Sequence, residues 1–286
     1  MKASTRHRGA CHADPSIRPL CPYLSLDPGN KCRDDKGDHV SAPRPHSATS
    51  FKTIRARAAK RKGGDAALEA LLPKLAGPKA LLRLKDDRVL AEMAKRIFSA
   101  GFVWSVIESK WPGFEAAFLE FEPKRLVHQP DEFWERLLSD KRIVRNPQKV
   151  SAVRENAQFI CDIAREHGSF GKFLAEWPAG DQVGLLDLLS KRGSRLGGRT
   201  GQYLLRFIGW DAFIVSADVV ACLRDAGLDI SESPTSKKDL KKIQDQFNAW
   251  AEETGLPRTH LSRICAMSVG ENYDAETLRA RAAMDE

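Results

Sequence analysis

Between Lys191 and Asp218 the chain reads KRGSRLGGRTGQYLLRFIGWDAFIVSAD, and this window carries the residue types suited to gripping a phosphate. Its centre, Leu196-Gly197-Gly198-Arg199-Thr200-Gly201, is a glycine-rich turn between two segments of helical periodicity. Glycines admit left-handed backbone and let a ligand come close. The amides that open the following helix then point outward, where the helix dipole also favours an anion. Lys191, Arg192, Arg195, Arg199 and Arg206 fall here with no acid among them. An ordinary helical hairpin with a solvated basic face would carry the same residues.

A second acid-free window strengthens the phosphate reading. Lys141, Arg142, Arg145, Lys149 and Arg154 lie between Asp140 and Glu155 and surround Asn146-Pro147, another helix start. Two helix N-termini with basic company suit a protein that holds a nucleic-acid backbone.

The elements that must position these windows read as helices throughout. Apolar positions recur near every 3.6 residues from residue 65 onward, punctuated by Pro and Gly. Helices are expected over 66–75, 88–99, 113–121 (Pro112 at an early helix position), 131–138 (Asp131 as its own cap), 147–167 and 171–176. Further helices are expected over 181–190, 199–208, 217–225, 237–253 and 258–266. The longest has Val150, Val153, Ala157, Ile160 and Ala164 on one face and Gly168 as its left-handed stop. No stretch alternates with period two; Phe213–Val220 is the single strand candidate and reads as a loop entering a helix. The class is all-α, without a 30–45-residue repeat.

Composition limits the rest. The chain has 286 residues and a formal charge of +8, but residues 1–64 hold 14 Lys and Arg against 5 Asp, a surplus of +9. The remaining residues hold 32 basic and 33 acidic side chains, net −1, so the overall charge says little about the folded part. Residues 1–50 lack Trp, Phe and apolar periodicity, and are expected to form a disordered basic tail, or to be the product of an upstream start codon, ahead of one domain over 51–286. The run Lys52–Lys62 (KTIRARAAKRK) is either a phosphate-attracting arm or a solvated lead-in. Cys11, Cys21 and Cys32 form no ligand pair of the C-x2-C kind, and Cys161, Cys222 and Cys265 read as separate reduced core cysteines; no metal or cofactor is expected. No apolar run is long enough for a transmembrane helix or a signal peptide, so a cytoplasmic monomer with no membrane partner is expected.

Several segments, in order, resemble the DNA-3-methyladenine glycosylase I family, within the helix-hairpin-helix DNA glycosylase superfamily. They are Ala100–Trp104 (AGFVW), Phe114–Pro123 (FEAAFLEFEP), Ile143–Lys149 (IVRNPQK), Asn156-Ala157, Lys191–Gly193 and Gly197–Gly201, spread over residues 88–228. The resemblance implies a helical bundle of two lobes with a cleft. It also implies a monofunctional enzyme that flips an alkylated purine (the 3-methyladenine class) out of double-stranded DNA and hydrolyses its N-glycosidic bond. Trp104 matches the family's pocket tryptophan, where stacking on a cationic base would gain roughly 0.5–2 kcal/mol. In the wider superfamily an Asp at the position of Asp218 is catalytic, although here it is equally placed as a helix cap, with Ser216 a competing cap. Gly197, Gly198, Arg199, Thr200, Gly201, Lys191, Arg145 and Lys149 fall to the DNA backbone. No lysine precedes Asp218 where bifunctional members place a Schiff-base nucleophile.

The sequence departs from the family in three places. The family's pocket glutamate falls on Arg96, which offers a base no acceptor and repels a cation. The family's N-terminal Tyr-His-Asp-x-Glu-Trp-Gly run is missing, as are its Cys/His zinc ligands. A helix-hairpin-helix protein that binds DNA without catalysis is therefore the standing alternative, and a phosphorylated small molecule on the glycine turn a third.

Overall fold

A computed structural model describes residues 50–75, 77–274 and 277 of the chain, so all but the last residue of the expected tail over 1–50 lies outside the described residues. Every regular α-element among them is a helix, and none is a strand. The helices are α1 (Phe51–Lys62), α2 (Asp65–Glu69), α3 (Pro78–Leu81), α4 (Asp86–Ser99), α5 (Trp104–Ala117), α6 (Pro123–Val127) and α7 (Asp131–Leu137). There follow α8 (Pro147–His167), α9 (Phe170–Glu176), α10 (Gln182–Arg192), α11 (Gly198–Phe207), α12 (Ala217–Asp225), α13 (Lys237–Thr254) and α14 (Arg258–Ser268).

Side-chain caps explain why the boundaries fall where they do. Asn146 accepts from the Lys149 amide at 3.1 Å at the start of α8, Ser169 caps α9, Asp181 caps α10 and Ser236 caps α13. Gly168 closes α8 with φ +93°. Three expectations fail locally. The helix expected over 66–75 stops after Glu69, ahead of Pro73, which constrains the residue before it away from helical backbone. Pro112 lies inside α5 rather than at its start. The run expected to continue to Phe121 ends instead in a 3-10 turn over Leu119–Phe121, whose three residues have φ of 54–59°. Burial of the Phe121 ring, stacked between Trp111 at 5.4 Å and Phe118 at 5.3 Å, offsets that strain. Asp131 does not cap α7; it stands in the first turn and pairs with Arg154 at 2.7 Å.

Two hydrophobic cores organise the molecule. One gathers buried residues from Leu81 to Ala212, with α4 and α8 at its centre. The other joins Phe51, Ile54, Ala58 and Leu68 to residues between Phe213 and Met267. The basic run of α1 is thus part of a core and not a solvated arm. Its apolar side packs on α14, and its cations serve internal acceptors. Arg57 pairs with Asp225, Arg61 donates to Met267 O and Gly270 O, and Lys62 donates to Tyr273 O.

The chain crosses from the first core to the second at 211–216, an irregular segment that brings backbone polar groups into the interior. Each needs a partner, because an unsatisfied buried amide or carbonyl costs about 1–3 kcal/mol. Side chains from three helices, α10, α11 and α14, supply them. Gln182 exchanges two hydrogen bonds with Phe213, Gln202 accepts from Val215 N, Thr259 exchanges two with Ala212, and Ser262 accepts from Ile214 N. Arg206 donates to Ala212 O at 2.6 Å. This web fixes where α12 begins, and so places Ser216 and Val219.

Candidate active site and DNA-binding surface

The glycine turn builds an open helix start. Gly197 is the N-cap of α11 and has no side chain to cap with, and Gly198 follows at φ +57°. An L residue reaches that conformation only at a cost, and nothing lies within 4 Å of where a Cβ on Gly198 would stand. The amides of Gly198, Arg199 and Thr200 find no acceptor among the described residues. Gly201 answers a different need, since a Cβ there would meet Leu186 Cδ2 at 2.9 Å where α11 packs on α10.

The structure joins the two basic windows into one surface. Asn156 of α8 accepts from Ser194 N at 2.8 Å and donates to Ser194 O at 3.0 Å, and Arg195 donates to Gln148. The starts of α8 and α11 are thereby held side by side.

Their cations are fewer than the windows suggest, because acids outside the windows, some adjacent and some distant in sequence, neutralise several. Arg142 binds Asp140 through two nitrogens, Arg154 binds Asp131, Arg192 forks onto Glu166, and Lys191 pairs with Asp187 at 2.6 Å. Arg206 is turned inward to Ala212 O. Exposed Arg145 and Arg199 have no acid partner among the described residues.

Lys149 is a correction. Assigned to the DNA backbone by its position in the second window, it is buried at 6% exposure. Its Nζ donates to Ala100 O at 2.7 Å and to Phe98 O at 3.0 Å, carbonyls at the C-terminal end of α4. Desolvation, with the nearby Arg195 charge, pulls its pKa down. The ammonium satisfies a helix end and does not reach the surface.

Behind the glycine turn lies a cavity of about 480 Å³ between the two cores, within the size range of small-ligand sites. The second half of α11 gives it Tyr203 and Phe207, the start of α12 gives Ser216 and Val219, α14 gives Arg263, and α4 gives Glu92. Glu92 did not stand out in the sequence, because one acid in the run DDRVLAEMAKR looks like a solvated face. Helical geometry puts it one turn before Arg96, and burial there raises its carboxyl pKa against the opposing charges of Arg96 and Lys95. A smaller cavity of about 270 Å³ shares Glu92, Phe207 and Ile208.

Trp104 and Arg96 were both expected in the base pocket, and neither lines this cavity. They occupy one another. The Arg96 guanidinium stands 4.7 Å from the Trp104 ring and 4.0 Å from the Phe207 ring, and its Nε is 2.6 Å from Glu92 Oε1. The edge of Trp104 rests against Tyr203 at 5.7 Å. The aromatic slot in which a cationic base would stack therefore already holds a cation of the protein.

Asp218 is exposed in the first turn of α12 and packs on Gly270, while its neighbours Ser216 and Val219 line the cavity. Ser216 is the N-cap, accepting from Val219 N at 3.3 Å, so Asp218 is not needed for that purpose. His260, near Cys265 in sequence, makes its ring contact with Pro73 O at 2.8 Å.

Residues 82–184 match the family model described as methyladenine glycosylase. The chain aligns with the 3-methyladenine DNA glycosylase I of Staphylococcus aureus at 22% identity, covering 55% of this chain and 90% of that one, with a TM-score of 0.39. A 3-methyladenine DNA glycosylase I solved in complex with 3-methyladenine aligns at 24% identity over 44% of this chain and 76% of that one, TM-score 0.39. The 8-oxoguanine glycosylase/lyase of Methanocaldococcus jannaschii aligns at 14% identity over 77% and 91%, TM-score 0.39. The family match holds α4 through α9, with Glu92, Arg96, Trp104, Arg145 and Lys149, and ends ahead of the glycine turn. It overlaps the resemblance expected over 88–228 as far as residue 184. Through that stretch the chain is similar to the methyladenine glycosylase family.

Proposed function

We propose that the protein is a monofunctional DNA glycosylase that takes a damaged purine, flipped from double-stranded DNA, into the cavity beside Glu92 and hydrolyses its N-glycosidic bond. The alkylated purines named by its family are the substrate class this reading starts from. The observation that carries it is the placement of two features on one short helix. The start of α11 offers unpaired amides to a phosphate, and about 8 to 14 Å further along the same helix Tyr203 and Phe207 wall off a base-sized cavity. A flipped nucleotide needs both at once, its phosphates gripped and its base enclosed.

Roles follow from this placement. Gly197, Gly198, Arg199, Thr200 and Gly201 receive the backbone, with Arg145 beside them; Lys191, tied to Asp187, contributes more weakly. Phe102 and Val103 are exposed at 43% and 69% next to Trp104, and suit a wedge that fills the gap left in the duplex. Glu92 meets the base. Asp218 faces the sugar as the bond breaks, supporting positive charge at C1′ and orienting the water that adds there. The departing base takes the electron pair of the broken bond; a cationic base leaves neutral and the water's proton passes to solvent or to the carboxylate, whereas a neutral base leaves as its anion and takes up a proton from solvent.

The test is incubation of the full chain with alkylated duplex DNA, followed by assay for free purine and for alkali-labile abasic sites. Release of both supports the reading. DNA binding without either favours the non-catalytic alternative, for which the Arg96 cation already lodged against Trp104 is the supporting observation.

A further inference from the structure

The charges around the cavity are out of keeping with a cationic ligand. Among the described residues Glu92 is its only acidic lining residue, and that carboxylate lies against Arg96. The other charged groups of the wall, Lys74, Arg206 and Arg263, are all cations. Arg206 donates to Ala212 O and to Ser262 Oγ. Arg263 has no hydrogen bond or ion pair among the described residues, and its Nε is buried. A buried donor left without an acceptor is costly, so a cavity that contains one is suited to a ligand that brings an acceptor.

Resting on the reading that a flipped purine enters this cavity, we propose that the site is built for an uncharged purine presenting a hydrogen-bond acceptor to Arg263, and that it disfavours a purine made cationic by N-methylation. The devices that select a cation, the Glu92 carboxylate and the Trp104 and Phe207 rings, are engaged by Arg96, which leaves Tyr203 as the aromatic wall. What remains is a wall of net positive charge and a buried donor, the Arg263 Nε, with no partner among the described residues. A ring nitrogen or carbonyl oxygen of a neutral base satisfies that donor, whereas an added positive charge is repelled by it. Arg263 is then the specificity-determining residue, and Arg96 acts through Glu92 and Trp104.

The experiment uses the full chain and two sets of duplexes. One set carries hypoxanthine, 1,N6-ethenoadenine or 7-methylguanine as cleavable lesions. The other carries non-cleavable 2′-fluoro versions of hypoxanthine and 7-methylguanine, so that binding is read without chemistry. Because a cationic purine leaves more readily unaided, each release rate is divided by its spontaneous rate. The expected results are tighter binding of the neutral duplex and a larger rate enhancement for neutral bases. Arg263→Met should weaken binding of the hypoxanthine duplex by about ten- to a hundredfold, the span of a hydrogen bond to a charged group, without weakening the cationic one. Arg263→Lys, which keeps a donor, should recover part of the loss. Equal or tighter binding of the cationic duplex by the wild-type chain, or an unchanged preference in Arg263→Met, would overturn the assignment. Neutral preference in binding with no release of any base would leave it standing and defeat the hydrolytic reading instead. Release with a cationic preference would do the reverse.

Discussion

Lys149 and Arg145 stand four positions apart in one basic window, and burial gives them opposite duties. Lys149→Met removes two hydrogen bonds from an ammonium to the end of α4 and leaves Phe98 O and Ala100 O without that donor. The expected cost is about 2–3 kcal/mol of stability, seen as a lower denaturant midpoint, with DNA affinity per folded molecule unchanged. Arg145→Ala should show the reverse pattern, with unchanged melting, weaker DNA binding and a salt slope reduced by about one. Asp218→Asn should slow base release by about a hundredfold while sparing binding. A loss of stability alone would restrict Asp218 to the start of α12. The burial of Lys149 had no signature in the sequence, since a lysine that caps another helix looks like any basic residue at a helix start. Glu92 escaped notice for the complementary reason, because a lone acid in a charged run looks solvated until the fold buries its neighbours Ala91, Met93 and Arg96.

At the scale of elements, caps and periodicity were legible where the information is local. Asn146, Pro147 and Gly168 bound α8 at the residues expected, because a cap acts within one turn. The extent of α5 was not, since Pro112 looks like a helix start although tertiary packing carries it mid-helix. α1 was misread for a similar reason. Seven of its residues are charged or polar, and its partners on α12, α14 and the segment after it are some two hundred positions away.

Those same three helices give a pH test. Cys222 and Cys265, expected as separate core cysteines, meet between α12 and α14. The Cys265 thiol, the Ser268 hydroxyl and Arg57 together pull the Cys222 thiol down to about 7. A folded value below the ordinary 9.0 means that the thiolate's contribution is complete above about pH 9 and is lost as pH falls through about 7. The melting-temperature gap between wild type and Cys222→Ser should widen from pH 6 to pH 9, and a constant gap would contradict the thiolate. For α11, Gly198→Ala should cost about 1 kcal/mol in stability through its positive φ. Gly198→Asp should in addition weaken DNA binding severalfold by setting a negative charge where the phosphate sits. Equal affinities for the two variants would remove α11 from the interface.

Across the whole molecule, the all-helical class, the helix order and the two helix starts with basic company were readable, since each rests on pattern or turn chemistry; their proximity was not, because it rests on contacts some forty residues apart. The division into two cores and the cavity between them were reached only through the resemblance, because they depend on which distant helices pack together. Charge shows the limit most plainly. The +8 of the chain belongs to residues 1–64, and part of that excess, on α1, is engaged internally. The acid-free windows, in turn, borrow acids from Asp131, Glu166 and Asp187 once folded. What remains for DNA is a small surface around Arg145, Arg199 and the first amides of α11, with the cavity behind it.

That pairing of surface and cavity is the central claim, and base release measures it most directly. A duplex carrying a single damaged purine is incubated under single-turnover conditions, at equal DNA occupancy, with the wild-type chain and with a variant whose cavity is filled by Val219→Trp. The wild-type chain should liberate the free base and leave an abasic site, and the filled variant should bind DNA but release at least about a hundredfold more slowly. Release at the same rate by both, or by neither, would contradict a base-excising site in the cavity between Glu92 and α12.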